Sequence, residues 1–517
     1  MKPILLFALT TALWSMAPRT PVVGPGGVLL QVDPRLPHPV ARAEDLPSVA
    51  SGARSLAELV EEGRRAWFAS TLHEGEPFGL PWQPHVDLDP LVPLDAVGPL
   101  LAGANRILPT GLQPNPDGGL PLGLVFPQGP GRISQSCAAC HTAQVNGVLL
   151  AGTANRFYQQ QNMFRATRSA LRLTEVLLRL VPGQHRAAQD SLRAERAKVK
   201  RYEALQNLGC EEQLAPGVVT GVRIWHASTG VLRSPEQLAN EQDRARFPCG
   251  VVKIPPLNTL RFRNRFFWDG SINTTWPGRW PVLDFLGVER VDEWRQRQAT
   301  PTAEALDAFV MFSTPSPRWQ DLMAEPLERE LLPRGRELFH GAARCASCHG
   351  QHDADGRLTG YAPTITPLSL VRTDPERAQA ARRDVLETFG KLREAFVPRV
   401  AWDEEPGYAA LPLCSTFLNA PYLHTGGVAS LAELLLPQEQ RSRMQYPGET
   451  TDPVDVGYYT SRTLARAITR GPARSNFLWR KVPARFVQGH SGPAFGTTLP
   501  DADRRALLEY LKTLHCP

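Results

Sequence analysis

Cys137-Ala138-Ala139-Cys140-His141 and Cys345-Ala346-Ser347-Cys348-His349 are two copies of one pattern, here called the first and second pentads. C-x-x-C-H is the attachment signature of c-type haem, in which the two thiols add to the haem vinyl groups and the histidine becomes an axial iron ligand. With eight cysteines and twelve histidines in 517 residues, two such pentads are not expected by chance. They predict two covalently bound haem c groups, and therefore redox chemistry. The cofactor-binding residues are Cys137, Cys140, His141, Cys345, Cys348 and His349, with His141 and His349 as iron ligands.

Other roles for the pentads fit the sequence less well. A structural zinc site needs two half-sites that converge on one ion, and these pentads are each complete and far apart in the chain. A redox-active or structural cysteine pair does not require a histidine directly after it, and here one follows twice.

The N-terminus predicts export. Lys2 gives a short positive region, the segment from Pro3 to Met16 is apolar, and Ala17 stands near a cleavage point, so residues 1–17 read as a signal peptide. No later stretch reaches about 18 apolar residues, so we expect no stable membrane span in the mature chain. A net charge of +6 without a dense Lys/Arg run does not favour nucleic acid as a partner. The expected location is periplasmic or secreted.

Four cysteines lie outside the pentads, namely Cys210, Cys249, Cys414 and Cys516. In an oxidising compartment an even remainder indicates disulfides, and four cysteines allow three connectivities. The pair Cys210 and Cys249 would close the shortest loop, but the sequence leaves the choice open.

Helical periodicity dominates the patterned part of the chain. It predicts helices over 55–70, two over 159–208 broken at Pro182-Gly183, one over 371–397, one over 327–340 and one over 501–514 with Asp501 as N-cap. Residues 18–54 read as an N-terminal arm or linker, and 75–131 as irregular.

The pattern around the second pentad decides the fold class. A helix that runs into a C-x-x-C-H site, followed by a final amphipathic helix, is the pair that frames the haem in cytochrome c-like domains. We therefore predict a mainly α protein with two cytochrome c-like haem domains, long irregular loops and few short strands. The first domain, with insertions, covers residues 55–320, and the second covers 321–517.

Several further stretches carry a resemblance to a known family. They are Gly152-Thr153-Ala154-Asn155 with Gln160-Gln161-Asn162-Met163-Phe164-Arg165, Lys253-Ile254-Pro255-Pro256-Leu257, Arg263-Asn264-Arg265-Phe266-Phe267-Trp268-Asp269-Gly270, Arg372-Thr373-Asp374-Pro375-Glu376-Arg377, Ala420-Pro421-Tyr422-Leu423-His424-Thr425-Gly426-Gly427-Val428, Asp452-Pro453-Val454-Asp455-Val456-Gly457-Tyr458 and Gly489-His490-Ser491-Gly492 to Gly496-Thr497. In this order around two pentads, the chain resembles the dihaem cytochrome c peroxidase and MauG-type superfamily, and is most similar to its dihaem rubber-oxygenase-like (RoxA-like) branch. The likeness covers roughly residues 130–517.

The resemblance implies a division of labour between two haems. One has a single protein ligand and an open face for peroxide or dioxygen, while the other is six-coordinate and transfers electrons. A sixth protein ligand blocks small-molecule chemistry at iron, and an open position permits it. We assign the open haem to His141, because the sequence near the first pentad offers no clear second ligand.

Three residues are candidates for the sixth ligand of the second haem. His490 is preferred, since its small neighbours allow a loop to approach the macrocycle and the resemblance implies a late histidine in a Gly-His context. His424 and Met444 are the alternatives.

Catalytic candidates are Gln161, together with Gln160 and Asn162, as amides near the first haem, and Trp268 as an electron relay between the haems. The resemblance implies a tryptophan at this place, but Leu257 and Asn258 stand at the matching Pro-Pro stretch, so Trp276 and Trp280 remain alternatives to Trp268. Arg261, Arg263 and Arg265 form either a basic edge for the haem propionates or a plain half-buried strand.

These expectations describe an exported dihaem c-type cytochrome oxidoreductase, peroxidase-like or oxygenase-like. Peroxide or dioxygen would react at the haem on His141, and electrons would pass through the haem on His349. The expected partners are that oxidant, an organic substrate in the oxygenase case, and a redox partner protein. Two alternatives are a non-catalytic dihaem electron-transfer cytochrome and a MauG-type enzyme that oxidises another protein.

Overall fold

The computed structural model describes residues 42–69, 86–87, 110–115, 121–125, 132–180, 186–214, 216–228, 232–263, 265–270, 272–273, 301–314, 316–361, 364–380, 406–447, 451–469, 480–481 and 487–517. This part of the chain is mainly α-helical with few short strands, as the sequence predicts. The signal peptide over 1–17 and the alternatives Trp276 and Trp280 lie outside the described residues.

The helices range from single turns to more than twenty residues. They are α1 Pro47–Ala50, α2 Leu56–Ala69, α3 Ala138–His141, α4 Gln160–Leu180, α5 Arg186–Asn207, α6 Gly221–Ser228, α7 Glu241–Arg246, α8 Pro301–Ser313, α9 Trp319–Leu322, α10 Leu332–His340, α11 Ala346–His349, α12 Leu368–Val371, α13 Leu431–Leu434, α14 Leu464–Thr469 and α15 Asp501–Thr513.

The strands are short and pair only with antiparallel neighbours within the described ranges. They are β1 Val86–Asp87, β2 Leu124–Val125, β3 Arg132–Gln135, β4 Thr142–Val145, β5 Val148–Ala151, β6 Val218–Thr220, β7 Val251–Lys253, β8 Arg265–Phe266, β9 Ile272–Asn273, β10 Gln351–His352, β11 Leu358–Gly360, β12 Thr364–Pro367, β13 Gly407–Ala410, β14 Met444–Tyr446, β15 Tyr459–Thr460 and β16 Arg480–Lys481. The sheets have the orders β1-β3-β2 and β15-β14-β16 and the pairs β4-β5, β6-β7, β8-β9, β10-β11 and β12-β13.

In the first half of the chain, α2 packs against α8. The crossing depends on Gly63, because a Cβ atom there would lie 1.9 Å from the carbonyl oxygen of Ala305. The buried Trp67 ring lies 5.4 Å from the Phe309 ring in the same contact, and Ala138 of the first pentad belongs to the same apolar cluster. This helix pair therefore supports the first pentad.

In the second half, α10 packs against α15 in the same manner. Here Gly335 allows the close approach, since a Cβ atom there would lie 2.1 Å from the carbonyl oxygen of Ala506. Phe339 and Tyr510 are fully buried beside this crossing, with ring centres 5.6 Å apart. Each half of the chain thus has one pair of helices that cross at a glycine.

The two halves share an apolar core. Val145, Leu150 and Val218 from the first half belong to the same buried cluster as Phe417 and Leu507 from the second. When the chain folds, residues on both sides of the predicted boundary at 320 therefore bury their apolar surface in one common core.

All four cysteines outside the pentads form disulfides, Cys210–Cys249 and Cys414–Cys516. The first is the shortest-loop pairing that the sequence left open. The second ties the segment after β13 to the residues after α15.

Most helix predictions match in position, with two corrections near the second pentad and the C-terminus. The helix predicted over 327–340 begins only at Leu332, after a 3₁₀ turn at Arg329–Leu331 and with a proline in its first turn. Asp501 is the first helical residue and not the N-cap; the N-cap is Pro500, and no side chain caps this end. The helix predicted over 371–397 is described only to residue 380, of which 376–380 are helical. Among the described residues, no helix is long and apolar enough to span a membrane.

Candidate haem-attachment sites

Each pentad ends in a short helix whose histidine is held by a distant carbonyl group. His141 closes α3, and its Nδ1 lies 3.2 Å from the carbonyl oxygen of Pro255. His349 closes α11, and its Nδ1 lies 2.7 Å from the carbonyl oxygen of Leu411. A carbonyl oxygen only accepts, so Nδ1 carries the proton and Nε2 keeps its lone pair for a metal ion.

None of the four pentad cysteines forms a disulfide, whereas the four remaining cysteines do. Burial raises the pKa of Cys140 and of Cys345 to about 12. Each pentad therefore presents two cysteines outside any disulfide beside a neutral imidazole, the donor set that covalent haem attachment requires.

Residues quoted above for the family resemblance hold the first pentad in place. The Asn155 backbone N–H donates to the Cys140 carbonyl oxygen, and its side-chain amide donates to the carbonyl oxygen of Ala139 (both 2.8 Å). The Gly152 N–H donates to the His141 carbonyl oxygen (2.8 Å). Gly152 has a φ of +79°, and a Cβ atom there would lie 2.5 Å from the Thr314 side chain. The segment 152–155 thus has a structural role at the first pentad.

His490 lies beside His349, with 6.3 Å between the ring centres. An imidazole nitrogen binds a metal ion at about 2.0–2.1 Å, so two imidazoles on opposite sides of one ion have ring centres roughly 6 Å apart. The Nδ1 atom of His490 is buried and has no hydrogen-bond partner. The ring separation therefore fits two imidazoles on one ion, while a buried nitrogen without a hydrogen-bond partner is also present in His424, at Nε2.

Arg441 holds the loop that carries His490. Its guanidinium donates to five carbonyl oxygens, those of Leu434, Leu436, Val487, Gly489 and His490, at 2.8–3.2 Å. The His490 N–H donates to the Val371 carbonyl oxygen (2.7 Å). Gly489 permits this approach, because a Cβ atom there would lie 2.4 Å from the Thr373 nitrogen. The position of the His490 imidazole is therefore set by the hydrogen bonds that hold the backbone of its loop.

The two alternative ligands of the second haem lie in other surroundings. The His424 ring stacks on Tyr408 with 3.8 Å between ring centres, and burial, with a contribution from Arg377, lowers its pKa to about 3. Met444 lies on β14 and packs with Tyr446 and Tyr459. Of the three candidates, His490 is the one whose ring contacts His349.

The first pentad has a different environment. Among the described residues, no imidazole or aromatic ring contacts the His141 ring as His490 contacts His349. Met163 packs in an apolar cluster with Tyr158 and Ile254, where Cys140 is partly buried. The structure therefore presents the two pentads as unequal.

The amides near the start of α4 divide into two kinds. Gln160 is buried, and its side chain bonds to Gln206, Asn207 and Thr220, so it joins α4 to the end of α5 and to β6. The Gln161 amide donates to the Glu211 carbonyl oxygen (3.2 Å) on the exposed side. A catalytic role for Gln161 stays a prediction from the sequence.

Trp268 connects the carbonyl groups that hold the two pentad histidines. Its Nε1 donates to the Lys253 carbonyl oxygen (2.8 Å), two residues before Pro255. The Trp268 carbonyl oxygen accepts from the Ala409 N–H (2.7 Å), two residues before Leu411. Covalent segments and hydrogen bonds thus form one route from His141 Nδ1 through Trp268 to His349 Nδ1.

Arg261 is half-buried and Arg263 is buried, and neither has a carboxylate partner among the described residues. The Arg261 Nε is buried without a hydrogen bond, and burial lowers the pKa of Arg261 and of Arg263 to about 10. Arg263 donates only to the Phe267 carbonyl oxygen and interacts with Tyr361. Arg261 belongs to a 3₁₀ turn at Leu260–Phe262 and Arg265 to β8, so the alternation is not one plain strand. A buried guanidinium is costly without a counter-charge, and haem propionates would supply one. The residues present fit two haem groups.

No protein-family model matches the chain. The chain is similar to an uncharacterized protein, y4iJ, of Sinorhizobium fredii, with 24% identity over 280 residues, which cover 44% of this chain and 46% of that protein. The chain therefore matches less than half the length of this relative.

Sequence reasoning missed the residues that orient the candidate ligands. The Pro255 and Leu411 carbonyl groups contribute backbone atoms, which leave no side-chain signal. Arg441 looks like an ordinary surface arginine in sequence, yet it is 3% exposed. Only Lys253-Ile254-Pro255 offered a signal, since the family resemblance includes it.

Proposed function

We propose that the protein is an exported dihaem c-type cytochrome oxidoreductase, in which peroxide or dioxygen reacts at the haem on His141 and electrons pass through the haem on His349. The observation that carries the proposal is the inequality of the pentads. His349 has a second histidine at the distance expected for a shared iron, and among the described residues His141 has none.

A bound haem supplies iron that exchanges single electrons when both axial positions hold protein ligands, and that binds a small oxidant when one position is open. The chain's own residues set which behaviour applies. His490, held by Arg441, would hold the iron at the second pentad together with His349. The Pro255 and Leu411 carbonyl groups fix the tautomer and orientation of the two pentad histidines.

Trp268 has the position of a relay between the two sites. Its indole is bound at one end of the hydrogen-bonded route, and the Lys253 ammonium lies 5.6 Å from its ring centre. Arg261 and Arg263 would bind the propionates and neutralise buried charge. These contacts support Trp268 over a purely structural tryptophan.

The paired helices support two cytochrome c-like domains over 55–320 and 321–517. α2 with α8 lies in the first range and α10 with α15 in the second, and each pair crosses at a glycine beside a pentad. The two disulfides support export, because such bonds persist in oxidising compartments.

The test is spectroscopic. Purified protein should contain two haems, and its electronic and EPR spectra should show one high-spin component that shifts with cyanide or peroxide and one low-spin component that does not. Two low-spin components that do not shift with either cyanide or peroxide would instead establish the electron-transfer cytochrome. A protein without covalent haem would refute both the oxidoreductase and the electron-transfer cytochrome. Turnover of peroxide, compared with dioxygen uptake in the presence of organic substrates, then separates peroxidase from oxygenase.

A further inference from the structure

The helices α4 and α5 form a hairpin that is rich in basic residues. Together they contain ten Arg and Lys residues and four Asp and Glu residues, an excess of six positive charges. The formal net charge of all 517 residues is also +6. The charges of the remaining residues therefore sum to zero, although single segments outside the hairpin, such as 462–485, are also basic.

The acidic residues of the hairpin are directed to partners within it. Glu175 is 4% exposed and pairs with Arg179, Arg193 and Arg196 at 2.7–3.0 Å. Glu203 pairs with Arg168 at 2.8 Å, across the two helices. Carboxylates and their arginines thus hold the hairpin together, and they do not neutralise its outer surface.

The outward cations form no ion pair with a carboxylate within the described ranges, although Arg165 has a longer-range electrostatic interaction with Glu203. They are Arg165, Arg172, Arg186 and Lys200, all exposed. Arg165, Arg172 and Arg179 recur every seven residues, which places them along one side of α4. Uncompensated basic charge on this surface attracts an anionic partner.

Aliphatic side chains lie among these arginines. Leu173 is 42% exposed and Val176 is 44% exposed, one helical turn apart on α4. Exposed aliphatic groups between arginines are the features of a helix that lies in a membrane interface, where the apolar groups enter the acyl boundary and the cations meet lipid phosphates. An acidic protein would require the charges but not these exposed aliphatic residues.

We propose that the α4–α5 hairpin docks the protein onto an anionic lipid bilayer as a peripheral protein. The interaction combines phosphate contacts of Arg165, Arg172 and their neighbours with insertion of Leu173 and Val176. It does not depend on the haem chemistry proposed above.

Co-sedimentation of the purified full-length protein with lipid vesicles tests this. The protein should bind vesicles that contain phosphatidylglycerol but not vesicles of phosphatidylcholine alone, and binding should weaken as salt is raised, because surface charges are screened. No binding to the anionic vesicles, or equal binding to both kinds, would overturn the proposal.

Substitutions locate the surface. Each basic residue near an anionic membrane contributes about five-fold to binding, so Arg165→Gln with Arg172→Gln should weaken it about thirty-fold. Arg329→Gln with Arg443→Gln removes the same charge from exposed arginines elsewhere and should leave binding nearly unchanged. Equal effects of the two pairs would overturn the assignment to this hairpin.

Leu173→Ser with Val176→Ser separates a bilayer from an acidic protein. This pair should weaken vesicle binding while its salt dependence stays the same, because no charge is lost. Polyglutamate serves as the acidic polypeptide. If it binds as tightly as the vesicles and the serine variants bind both normally, the surface recognises acidic protein and the membrane proposal is wrong.

Discussion

The ring centres of His349 and His490 lie 6.3 Å apart, although 141 residues separate them in the chain. His349 is fixed by the Leu411 carbonyl oxygen, and His490 by the backbone contacts of its loop. The two histidines are therefore held by separate segments of the chain, and the contacts that hold each one can be tested separately.

Replacement of His490 removes the second imidazole. His490→Ala should convert the low-spin haem to high spin, so that cyanide binds two haems per protein and not one. His424→Phe is the matched control, because phenylalanine keeps a ring stacked on Tyr408 and should leave the spectrum unchanged. The EPR spectra of both variants check this; a low-spin signal that survives in His490→Ala but is lost in His424→Phe would reverse the assignment.

Arg441 should affect the same EPR signal indirectly, because it holds the loop that positions His490. Arg441→Gln leaves several buried carbonyl groups without their charged donor, so we expect the free energy of unfolding to fall by about 3 kcal/mol. The fraction of high-spin haem should rise while both haems stay attached. Arg443→Gln, two residues away and exposed, should change neither quantity in urea unfolding and EPR measurements. A stability loss without a spin-state change would show that Arg441 supports the fold only.

The crossing of α10 and α15 should not tolerate a side chain at Gly335. Gly335→Ala places a methyl group against the Ala506 carbonyl oxygen and forces the helices apart, at a cost of about 1–3 kcal/mol. Ala502→Ser also adds one heavy atom, at an exposed position of α15, and should cost about 0.5 kcal/mol. Thermal unfolding of the two variants measures the difference, and equal melting temperatures would contradict the close contact.

Lys253 should make stability depend on pH in the alkaline range. Burial lowers its pKa from 10.5 to about 7, so between these values the unfolded chain binds a proton that the folded chain has released. The free energy of unfolding then rises with pH, by up to about 1.4 kcal/mol per pH unit. Urea unfolding from about pH 7 to about pH 10 should show this slope, and Lys253→Met should reduce it. Lys200→Met, at an exposed lysine, should keep the wild-type slope; an unchanged slope in Lys253→Met would mean that this lysine titrates normally.

Trp268 should affect electron transfer more than haem attachment. Trp268→Phe keeps an aromatic ring but removes the donor to the Lys253 carbonyl oxygen and raises the energy needed for ring oxidation. After peroxide addition, the haem on His349 should be oxidised more slowly in stopped-flow absorption measurements, with both haems still bound. Trp319→Phe is the control, since Trp319 is also buried but donates to the Glu325 carbonyl oxygen. Equal rates in both variants and in wild type would exclude the relay.

Sequence reasoning succeeded where the signal is local. α2, α4, α5 and α15 lie where apolar periodicity places them, because the buried stripe of a helix repeats every three or four residues. The small neighbours of His490 and the family resemblance favour it over His424; its ring lies beside His349, and its role as a ligand stays a prediction.

Other features depend on contacts that periodicity does not encode. The pairing of α2 with α8 joins segments more than two hundred residues apart. In the sequence, Gly63 cannot be distinguished from any other helical glycine, because its role depends on the close approach of Ala305. Asp501 is a residue type that is common at the N-cap. The N-cap position is taken by Pro500, however, whose backbone is extended, so Asp501 is the first helical residue. The carbonyl groups of Pro255 and Leu411 belong to the backbone. Because every residue type has such a group, the sequence gives no signal for these contacts.

The apolar core shared by residues on both sides of position 320 has a thermodynamic consequence. If either half unfolded alone, the other would expose its part of the shared core to water, such as Leu150 in the first half or Phe417 in the second, so partial unfolding is disfavoured. Calorimetry should record a single cooperative transition, and a fragment cut at the boundary should aggregate. The shared core therefore predicts one folding unit, which would hold the two pentads at a constant distance from each other.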